Sequence, residues 1–297
     1  MKPGGPPILS LLRVRQWHKN AVVPAGLLFS ERWHEPSAWR QALLAALACC
    51  LASAAGYAVN DLLDAAADRA HPRRRHRPLA AGTVGRGTAG ALAALCLAAA
   101  VALAAAANLA TAGLVLGMVA NTAAYSAWLK HVRIVDIFSI SFNFVLRVLA
   151  GVAAVSVAPS GWILLCTFFL ALFLAAGKRL AEFQAEEASG AAAGAARPVL
   201  DGYSAVFLRS VMTLSSGMAI VAYALYTILS RRGGDVVLTV PVVAFALLHH
   251  QARVTVDGRG EEPSEDLLRD RVLLLAILAW AALFWATSGH AGFVLRE

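Results

Sequence analysis

The chain has 297 residues, of which 59% are hydrophobic and 15% are charged, and its mean hydropathy is +0.64. This composition is too apolar for an ordinary soluble domain and predicts a membrane protein. The formal net charge is +8, but the basic residues cluster in short segments between apolar runs, where anionic lipid headgroups and phosphate-bearing substrates are the expected partners. The sequence therefore favours a membrane protein over one that binds nucleic acid.

Apolar stretches long enough to cross a bilayer predict the membrane-spanning helices. Nine stretches are found in chain order, at 20–31, 38–59, 88–107, 109–128, 135–157, 160–180, 206–229, 236–252 and 272–289. The first is the shortest, and Pro24 and Gly26 within it predict a kinked or partly interfacial helix. The predicted fold class is an all-α bundle of about nine transmembrane helices that forms one polytopic membrane domain over residues 1–297.

The distribution of Lys and Arg predicts the orientation of these helices. Twenty of these residues fall on the side of the membrane that contains the N-terminus, five fall on the other side, and Arg147 lies inside a span, which accounts for all 26. This excess places the N-terminus of a multi-pass plasma (inner) membrane protein in the cytoplasm. The long polar connections, at 60–87, 181–205 and 253–271, are then cytoplasmic loops, and chemistry is expected at that face.

The second span is followed by three regularly spaced carboxylates, in the sequence NDLLDAAAD at residues 60–68. Intervals of three and four residues place Asp61, Asp64 and Asp68 on one face of a helix end, where they can share one or two Mg²⁺ ions and converge on a diphosphate. A bound cation would also offset the cost of a carboxylate beside the membrane, which is about 2.5–3.5 kcal/mol at the bilayer centre. The alternative is a solvated helix that is neutralised by its own arginines.

A basic run, HPRRRHRP at residues 71–78, follows the carboxylates directly. This position favours a role for Arg75 or Arg77 in holding phosphate oxygens that the metal does not reach. Anchoring to anionic lipid is the alternative interpretation of the same run, and the two roles are compatible.

A second polar cluster, KRLAEFQAEE at residues 178–187, ends the sixth span. One interpretation is that Lys178 and Arg179 contact phosphate while Glu182 faces the cavity. The other is that these residues pair with one another along the helix, since Lys178 and Glu182 are four residues apart. The sequence does not separate the two interpretations.

Four further residues are candidates for substrate binding. Arg147 lies in the middle of a span, and an intramembrane arginine is expected to face a cavity or a carboxylate. Tyr125 and Lys130 border a short cytoplasmic turn, although an interfacial aromatic residue and an inside charge explain them as well. Lys19, close to Trp17, is compatible with a gate over the pocket or with interfacial anchoring.

The segment NDLLDAAADRAHPRRRHRPLAAG, at residues 60–82, resembles the first aspartate-rich motif of the UbiA superfamily of membrane prenyltransferases. YSAWLK at 125–130 and LRVLAG at 146–151 are also similar to segments of that superfamily. The resemblance implies nine helices with a cytoplasm-facing active-site cavity, in which Asn60 orients a ligand or a metal-bound water. Members that use prenyl diphosphates typically carry a second motif of the DxxxD kind after the sixth helix, where this chain has KRLAEFQAEE.

Three segments are most similar to the branch of the superfamily that transfers phosphoribosyl groups. They are this KRLAEFQAEE segment, RQWHKN at 15–20 and DGRGEEPSEDLLRDRVL at 257–273. The resemblance implies that the donor is phosphoribosyl pyrophosphate, the acceptor is a polyprenyl phosphate such as decaprenyl phosphate, and the product is a precursor of cell-wall arabinan. Mg²⁺ held by Asp61, Asp64 and Asp68 would neutralise the pyrophosphate leaving group, and the acceptor phosphate would attack without a dedicated general base.

Two other functions are alternatives. An ordinary UbiA-type prenyltransferase would use a prenyl diphosphate and an aromatic acceptor, which the missing second aspartate motif argues against. A lipid transporter would line a translocation route with charges such as Arg147, but it predicts internal repeats, and the two halves of the sequence show no convincing similarity. The sequence leaves open whether the chain forms a homo-oligomer.

Overall fold

The structure is a computed structural model of the full chain, and it describes residues 6–28, 31–70, 74–189, 198–229, 234–258, 260 and 269–288. His71 and Arg73 of the basic run, and parts of the predicted loops at 181–205 and 253–271, lie outside these residues. The α-helices with described bounds are α1 (Pro7–Leu11), α2 (Ala25–Leu28), α3 (Pro36–Ala70), α4 (Arg86–Ala107), α5 (Leu109–Ala127), α6 (Val135–Ala154), α7 (Gly161–Ser189), α8 (Ala205–Leu229), α9 (Val240–Thr255) and α10 (Arg271–Ser288). Short 3₁₀ segments stand between several of them, at Val14–Val22, Glu31–His34, Arg74–His76, Leu129–His131, Pro198–Gly202 and Gly234–Thr239.

Most of the predicted membrane spans are present as long apolar helices. In the described part of the chain, seven helical segments are long and apolar enough to cross a membrane by length and composition. They are the helices α3 to α8 and the segment Asp235–Thr255, which joins α9 to the 3₁₀ turn before it. Helix α10 is also apolar but shorter. Together with the segment that precedes α3, these helices are consistent with nine membrane segments, and the predicted all-α membrane fold is confirmed.

Two helices extend well beyond the length that a bilayer requires. Helix α3 has 35 residues, which corresponds to about 52 Å, whereas the hydrocarbon core of a bilayer is roughly 30 Å thick. It continues through residues 60–70, the start of the predicted loop at 60–87. Helix α7 has 29 residues and continues to Ser189 in the same way. The aspartates and the second polar cluster therefore lie on ordered helix ends rather than in irregular loops.

The chain divides into two compact units, Met1–Pro159 and Ser160–Glu297. In the first unit, α3 packs against α4, α5 and α6. Small side chains, which let helix backbones approach closely, fill much of its core, among them Ala45, Ala48, Cys49, Ala100 and Ala104. In the second unit, α7 packs against α8 over a core of larger side chains that includes Phe173, Leu180, Leu208 and Met212. The single membrane domain over 1–297 stays a prediction.

The predicted first span is not one continuous helix. The chain breaks at Pro24, between the 3₁₀ segment Val14–Val22 and α2. The break coincides with a close crossing of α6, because a Cβ atom added to Gly151 would lie 1.9 Å from the carbonyl oxygen of Val23. On the other side of the crossing, a Cβ atom added to Gly26 would lie 2.8 Å from a methyl carbon of Val152. The kink that Pro24 and Gly26 predict therefore falls where the chain crosses α6.

The variant Gly151→Ala should destabilise the first unit, because the added methyl group would overlap with the main chain of Val23. Overpacking typically costs about 1–3 kcal/mol, and a main-chain atom cannot move aside as the end of a side chain can. Thermal unfolding of the detergent-solubilised protein should show a melting temperature several degrees lower. Gly117→Ala in α5 is the matched control, since no atom lies within 4 Å of the added Cβ. Equal melting temperatures for the two variants would contradict the close crossing.

Candidate active site

The three carboxylates at the end of α3 are paired with basic side chains from three other segments of the first unit. Asp61 and Asp68 are each only 2% exposed, whereas Asp64 is partly open to solvent. A buried carboxylate needs a cation or several hydrogen bonds to offset its lost hydration. The positions of the basic residues therefore follow from the burial of these aspartates.

Asp61 and Asp68 share one arginine. Nη1 of Arg77 donates to Oδ1 of Asp61 at 3.2 Å and to Oδ2 of Asp68 at 2.8 Å. Oδ1 of Asp61 also accepts a hydrogen bond from Nη2 of Arg13 at 2.7 Å. Arg75, in contrast, is exposed and forms no ion pair with a carboxylate of the described residues. The structure thus distinguishes two arginines that the sequence left as alternatives.

Asp64 is paired with the turn that follows α5. Nζ of Lys130 donates to Oδ1 of Asp64 at 2.7 Å, and Nδ2 of Asn60 donates to Oδ2 of Asp64 at 3.1 Å. Lys130 lies in the 3₁₀ turn Leu129–His131, which connects α5 to α6. The short connection between these two helices therefore brings a lysine to a carboxylate that lies 66 residues earlier in the chain.

The chemistry of these side chains fits a divalent cation, although the described conformation pairs them with basic residues. Among the described residues, no group of three His, Cys, Asp or Glu side chains is close enough to hold a metal ion together. Carboxylate oxygens are nevertheless the ligands that Mg²⁺ prefers in proteins. The carboxylates of Asp61, Asp64 and Asp68 share one face of α3. A cation could bind here once the carboxylates leave their basic partners.

Arg147 is 7% exposed and is held by neutral groups inside the first unit. Its Nε donates to Oδ1 of Asn20 at 2.8 Å, and its Nη2 lies 3.4 Å from Oγ of Ser53. The guanidinium also lies over the ring of Phe144, 4.9 Å from its centroid, and Asn20 donates in turn to Sγ of Cys50. Within the described ranges Arg147 forms no ion pair. It joins α6, α3 and the N-terminal segment instead.

Two other predicted residues lie on neighbouring elements. Lys19 is half-buried in the 3₁₀ segment Val14–Val22, where its Nζ lies 3.3 Å from Oε1 of Gln16. Tyr125 is half-buried in the last turn of α5. Substrate binding by either residue stays a prediction.

A cavity of about 310 Å³ lies between α3, α4 and α5. Small and apolar side chains line it, including Gly56, Ala93 and Leu97. None of the predicted site residues is among those that line it. The cytoplasm-facing polar cavity implied by the sequence therefore stays a prediction.

The second polar cluster lies at the end of α7, in the second unit. Arg179 is 1% exposed, and its Nη1 donates to Oε2 of Glu182 at 2.7 Å. Pairing along the helix is one of the two interpretations of this cluster, although the sequence suggests it for Lys178 and Glu182, whereas this pair joins Arg179 to Glu182. Lys178 is half-buried. Contact of either basic residue with phosphate stays a prediction.

Asp270 forms a polar junction in the second unit that was not predicted from the sequence. Its Oδ2 accepts hydrogen bonds from Nε2 of His249, at 3.0 Å, and from Nη1 of Arg253. Its Oδ1 accepts from the main-chain N–H groups of Val272 and Leu273, at 2.8 and 3.2 Å. Burial alone would raise the pKa of Asp270, but these hydrogen bonds lower it to about 2. Asp270 thus caps α10 and ties it to α9.

A family profile described as the UbiA prenyltransferase family matches residues 21–269. The chain belongs to this family. A UbiA homologue from Archaeoglobus fulgidus, solved with DMAPP and Mg²⁺ bound, is similar in fold, with a TM-score of 0.74 and 19% sequence identity. The match covers 96% of this chain and 99% of the homologue. At this level of identity the likeness establishes the UbiA fold.

Two relatives in the UbiA family are similar to this chain over most of their length. The decaprenyl-phosphate phosphoribosyltransferase of Mycolicibacterium smegmatis is 35% identical over 296 residues, which cover 93% of this chain and 92% of the relative. The decaprenyl-phosphate phosphoribosyltransferase of Corynebacterium glutamicum is 34% identical over 288 residues, which cover 92% of this chain and 84% of the relative.

Within this UbiA chain, the structure brings six of the predicted residues together at the end of α3: Asn60, Asp61, Asp64, Asp68, Arg77 and Lys130. It adds Arg13, which the sequence counts only as a cytoplasmic positive charge. No sequence signal beyond that charge points to Arg13. Asp270 does carry a signal, because an aspartate one residue before an apolar run, here with Arg271 between them, is typical of a helix N-cap.

The variant Arg77→Gln should destabilise the first unit more than Arg75→Gln does. Asp68 is buried, and Arg77 is its ion-pair partner among the described residues, so the substitution leaves a buried carboxylate without a cation. Breaking a buried ion pair costs about 3–5 kcal/mol, which the partial exposure of the guanidinium reduces to about 1–3 kcal/mol. Thermal unfolding in detergent with a metal chelator measures the difference. An equal fall in melting temperature for the two variants would contradict the assignment of Arg77.

The variant Asp270→Asn should destabilise the second unit by about 2 kcal/mol at neutral pH. The pKa of about 2 lies below the ordinary 3.8, so the stabilisation is present above pH 4 and is lost as the pH falls toward 2. Because asparagine also caps helices, the substitution tests the charge rather than the cap. Melting temperatures of the two proteins should differ by a constant amount above pH 4 and should converge as the pH falls from 4 toward 2.

Asp257→Asn is the control for this experiment, since Asp257 is exposed. A difference between Asp270→Asn and the unaltered chain that does not change with pH would contradict the ion-pair assignment.

Proposed function

We propose that this chain transfers the 5-phosphoribosyl group of phosphoribosyl pyrophosphate to decaprenyl phosphate and releases pyrophosphate. The observation that carries the proposal is the identity of 34–36%, over 92–93% of the chain, with curated relatives named decaprenyl-phosphate phosphoribosyltransferase. The reaction supplies a phosphoribosylated lipid as a precursor of cell-wall arabinan.

The end of α7 supports a donor other than a prenyl diphosphate. Superfamily members that use prenyl diphosphates typically carry a second aspartate motif in this region, whereas this chain has a pair formed by Arg179 and Glu182. In this conformation Glu182 is already neutralised by Arg179 and not by a metal ion. Lys178 and Arg179 instead suit the 5-phosphate of the donor or the phosphate of the acceptor.

Asp61, Asp64 and Asp68 are the proposed Mg²⁺ ligands of this enzyme. Bound there, Mg²⁺ would neutralise negative charge on the pyrophosphate leaving group. With the cation bound, Arg77 and Lys130 would be released from Asp68 and Asp64 and would present charged hydrogen-bond donors beside the site. The burial of Asp61 and Asp68 supports this exchange, because neither carboxylate is stable here without a cation.

Arg77 and Lys130 then stabilise the charge that develops as the anomeric C–O bond breaks. Positive charge grows on the ribose ring and negative charge on the pyrophosphate, so donors beside the leaving group lower the barrier electrostatically. An oxygen of the acceptor phosphate forms the new bond to C1 of the ribose, and pyrophosphate leaves with the electron pair of the broken bond. A phosphate monoester is already ionised at neutral pH, so no general base is needed. Asn60 orients Asp64 through its hydrogen bond.

The chain is a multi-pass membrane protein, since seven of its described helices are long and apolar enough to cross a bilayer and it belongs to a family of membrane prenyltransferases. We place its N-terminus and the end of α3 at the cytoplasmic face of the plasma membrane, on the basis of the excess of Lys and Arg on that side. This placement gives a water-soluble donor and a lipid acceptor access to the same helix end.

The proposed function is tested with phosphoribosyl pyrophosphate that carries a radiolabel in the ribose. The purified chain in detergent is mixed with this donor, decaprenyl phosphate and Mg²⁺, and the lipid fraction is counted. Label should enter the lipid with Mg²⁺ and should stay in the aqueous phase with a chelator. The absence of label, together with activity on a prenyl diphosphate and an aromatic acceptor, would instead support the ordinary prenyltransferase function.

In the same assay, Asp64→Asn should lower the turnover number by about a hundredfold or more, because one charged oxygen donor of the metal site is lost. Membrane insertion and melting temperature should change little, since Asp64 is the most exposed of the three carboxylates. Asp235→Asn is the matched control, because Asp235 is exposed in the segment before α9. Normal turnover by Asp64→Asn would rule out the metal site at α3.

A further inference from the structure

Arg13 is the basic residue of the aspartate site that the sequence left without a role. Its Nη2 donates to Oδ1 of Asp61 at 2.7 Å. Its guanidinium carbon lies 4.7 Å from the centroid of the Tyr57 ring, one turn earlier on α3. A guanidinium over an aromatic face and beside a carboxylate is held in a defined plane, and it presents its remaining N–H groups in a fixed direction.

The main chain at Arg13 has an unfavourable conformation. Its φ and ψ angles are 48° and 45°, in the left-handed region. This conformation is disfavoured for a residue with a side chain, because its Cβ atom crowds the following carbonyl oxygen. Such conformations persist where surrounding contacts impose them, and they are concentrated at functional sites.

The contacts on both sides of Arg13 are independent of its ion pair. On the N-terminal side, Leu11 is fully buried and packs in one cluster with Ala58 and Leu79. On the C-terminal side, Asn20 is buried against Arg147 and Cys50. Arg13 is therefore fixed from both directions and would stay beside the site if Asp61 took another partner.

We infer that Arg13 is a phosphate-binding residue, which neutralises Asp61 in the ligand-free site and turns to the diphosphate when Asp61 binds a divalent cation. The inference rests on the proposed function for the metal and deepens it by assigning a further binding residue. A cation bound to Asp61 would weaken the ion pair between Asp61 and Arg13, because the two positive charges repel each other across a short distance. The planar guanidinium matches two phosphate oxygens at once, so a diphosphate beside the cation is a better partner than the carboxylate that it leaves.

This exchange makes two predictions of opposite sign for Arg13→Ala. The affinity for a divalent cation alone should rise by about threefold or more, because the competing charge is gone. The affinity for inorganic pyrophosphate with saturating Mg²⁺ should fall by about tenfold or more, because a charged hydrogen-bond donor is lost. Arg13→Lys keeps the charge without the planar fork and should give a pyrophosphate affinity between those of the alanine variant and the unaltered chain.

Both affinities are measured on the full chain in detergent, with Mn²⁺ binding followed by EPR and pyrophosphate binding by calorimetry. Arg15→Ala is the matched control, since Arg15 lies two residues away and is exposed. It should change neither affinity. Melting temperatures of all variants show whether each one is folded.

The outcomes separate this inference from the proposed function. A fall of both affinities in Arg13→Ala, or no change in either, overturns the inference, because a merely structural residue or a surface charge would give these results. The inference is also overturned if the unaltered chain does not bind pyrophosphate in the presence of Mg²⁺. Opposite shifts support the inference even if the label-transfer assay fails, because pyrophosphate is common to phosphoribosyl and prenyl donors.

Discussion

The need to neutralise three carboxylates at the end of one membrane helix organises the first unit. Asp61 and Asp68 are nearly inaccessible to water, so they must be compensated by cations of the protein or of a ligand. The compensating side chains come from before α3, from directly after it and from the turn between α5 and α6. Ionic contacts at one point thus join segments that the membrane would otherwise leave to pack through small apolar residues alone.

The sequence predicts the part of this site that depends on local spacing. The carboxylates share a helix face because their intervals match the helical period, and Arg77 lies near them because the chain turns back directly after α3. Arg13 and Lys130 lie 48 and 66 residues from their partners. Those pairings depend on how the helices pack, and neither hydropathy nor charge spacing carries that information.

The fold shows the same division between local and non-local information. Hydropathy predicts the long helices because each carries its own apolar stretch. The short apolar stretch of the first segment, together with Pro24, predicts that this segment is not one straight helix. It does not reveal the crossing of that segment with α6, which depends on the missing side chain of Gly151. The partners of Asp270 were likewise missed, since His249 and Arg253 become its neighbours only when α9 and α10 pack together.

The hydrogen bonds of Arg147 bear on the biogenesis of the protein. Both of its side-chain partners, Asn20 and Ser53, precede it in the sequence. A chain that emerges from the ribosome N-terminus first delivers these groups to the membrane before the arginine. The guanidinium can then donate to polar groups that are already in the membrane. Helix α6 therefore does not have to remain in lipid with an arginine that lacks hydrogen-bond partners. The order of synthesis therefore makes the hydrogen-bond partners of Arg147 available before the arginine itself.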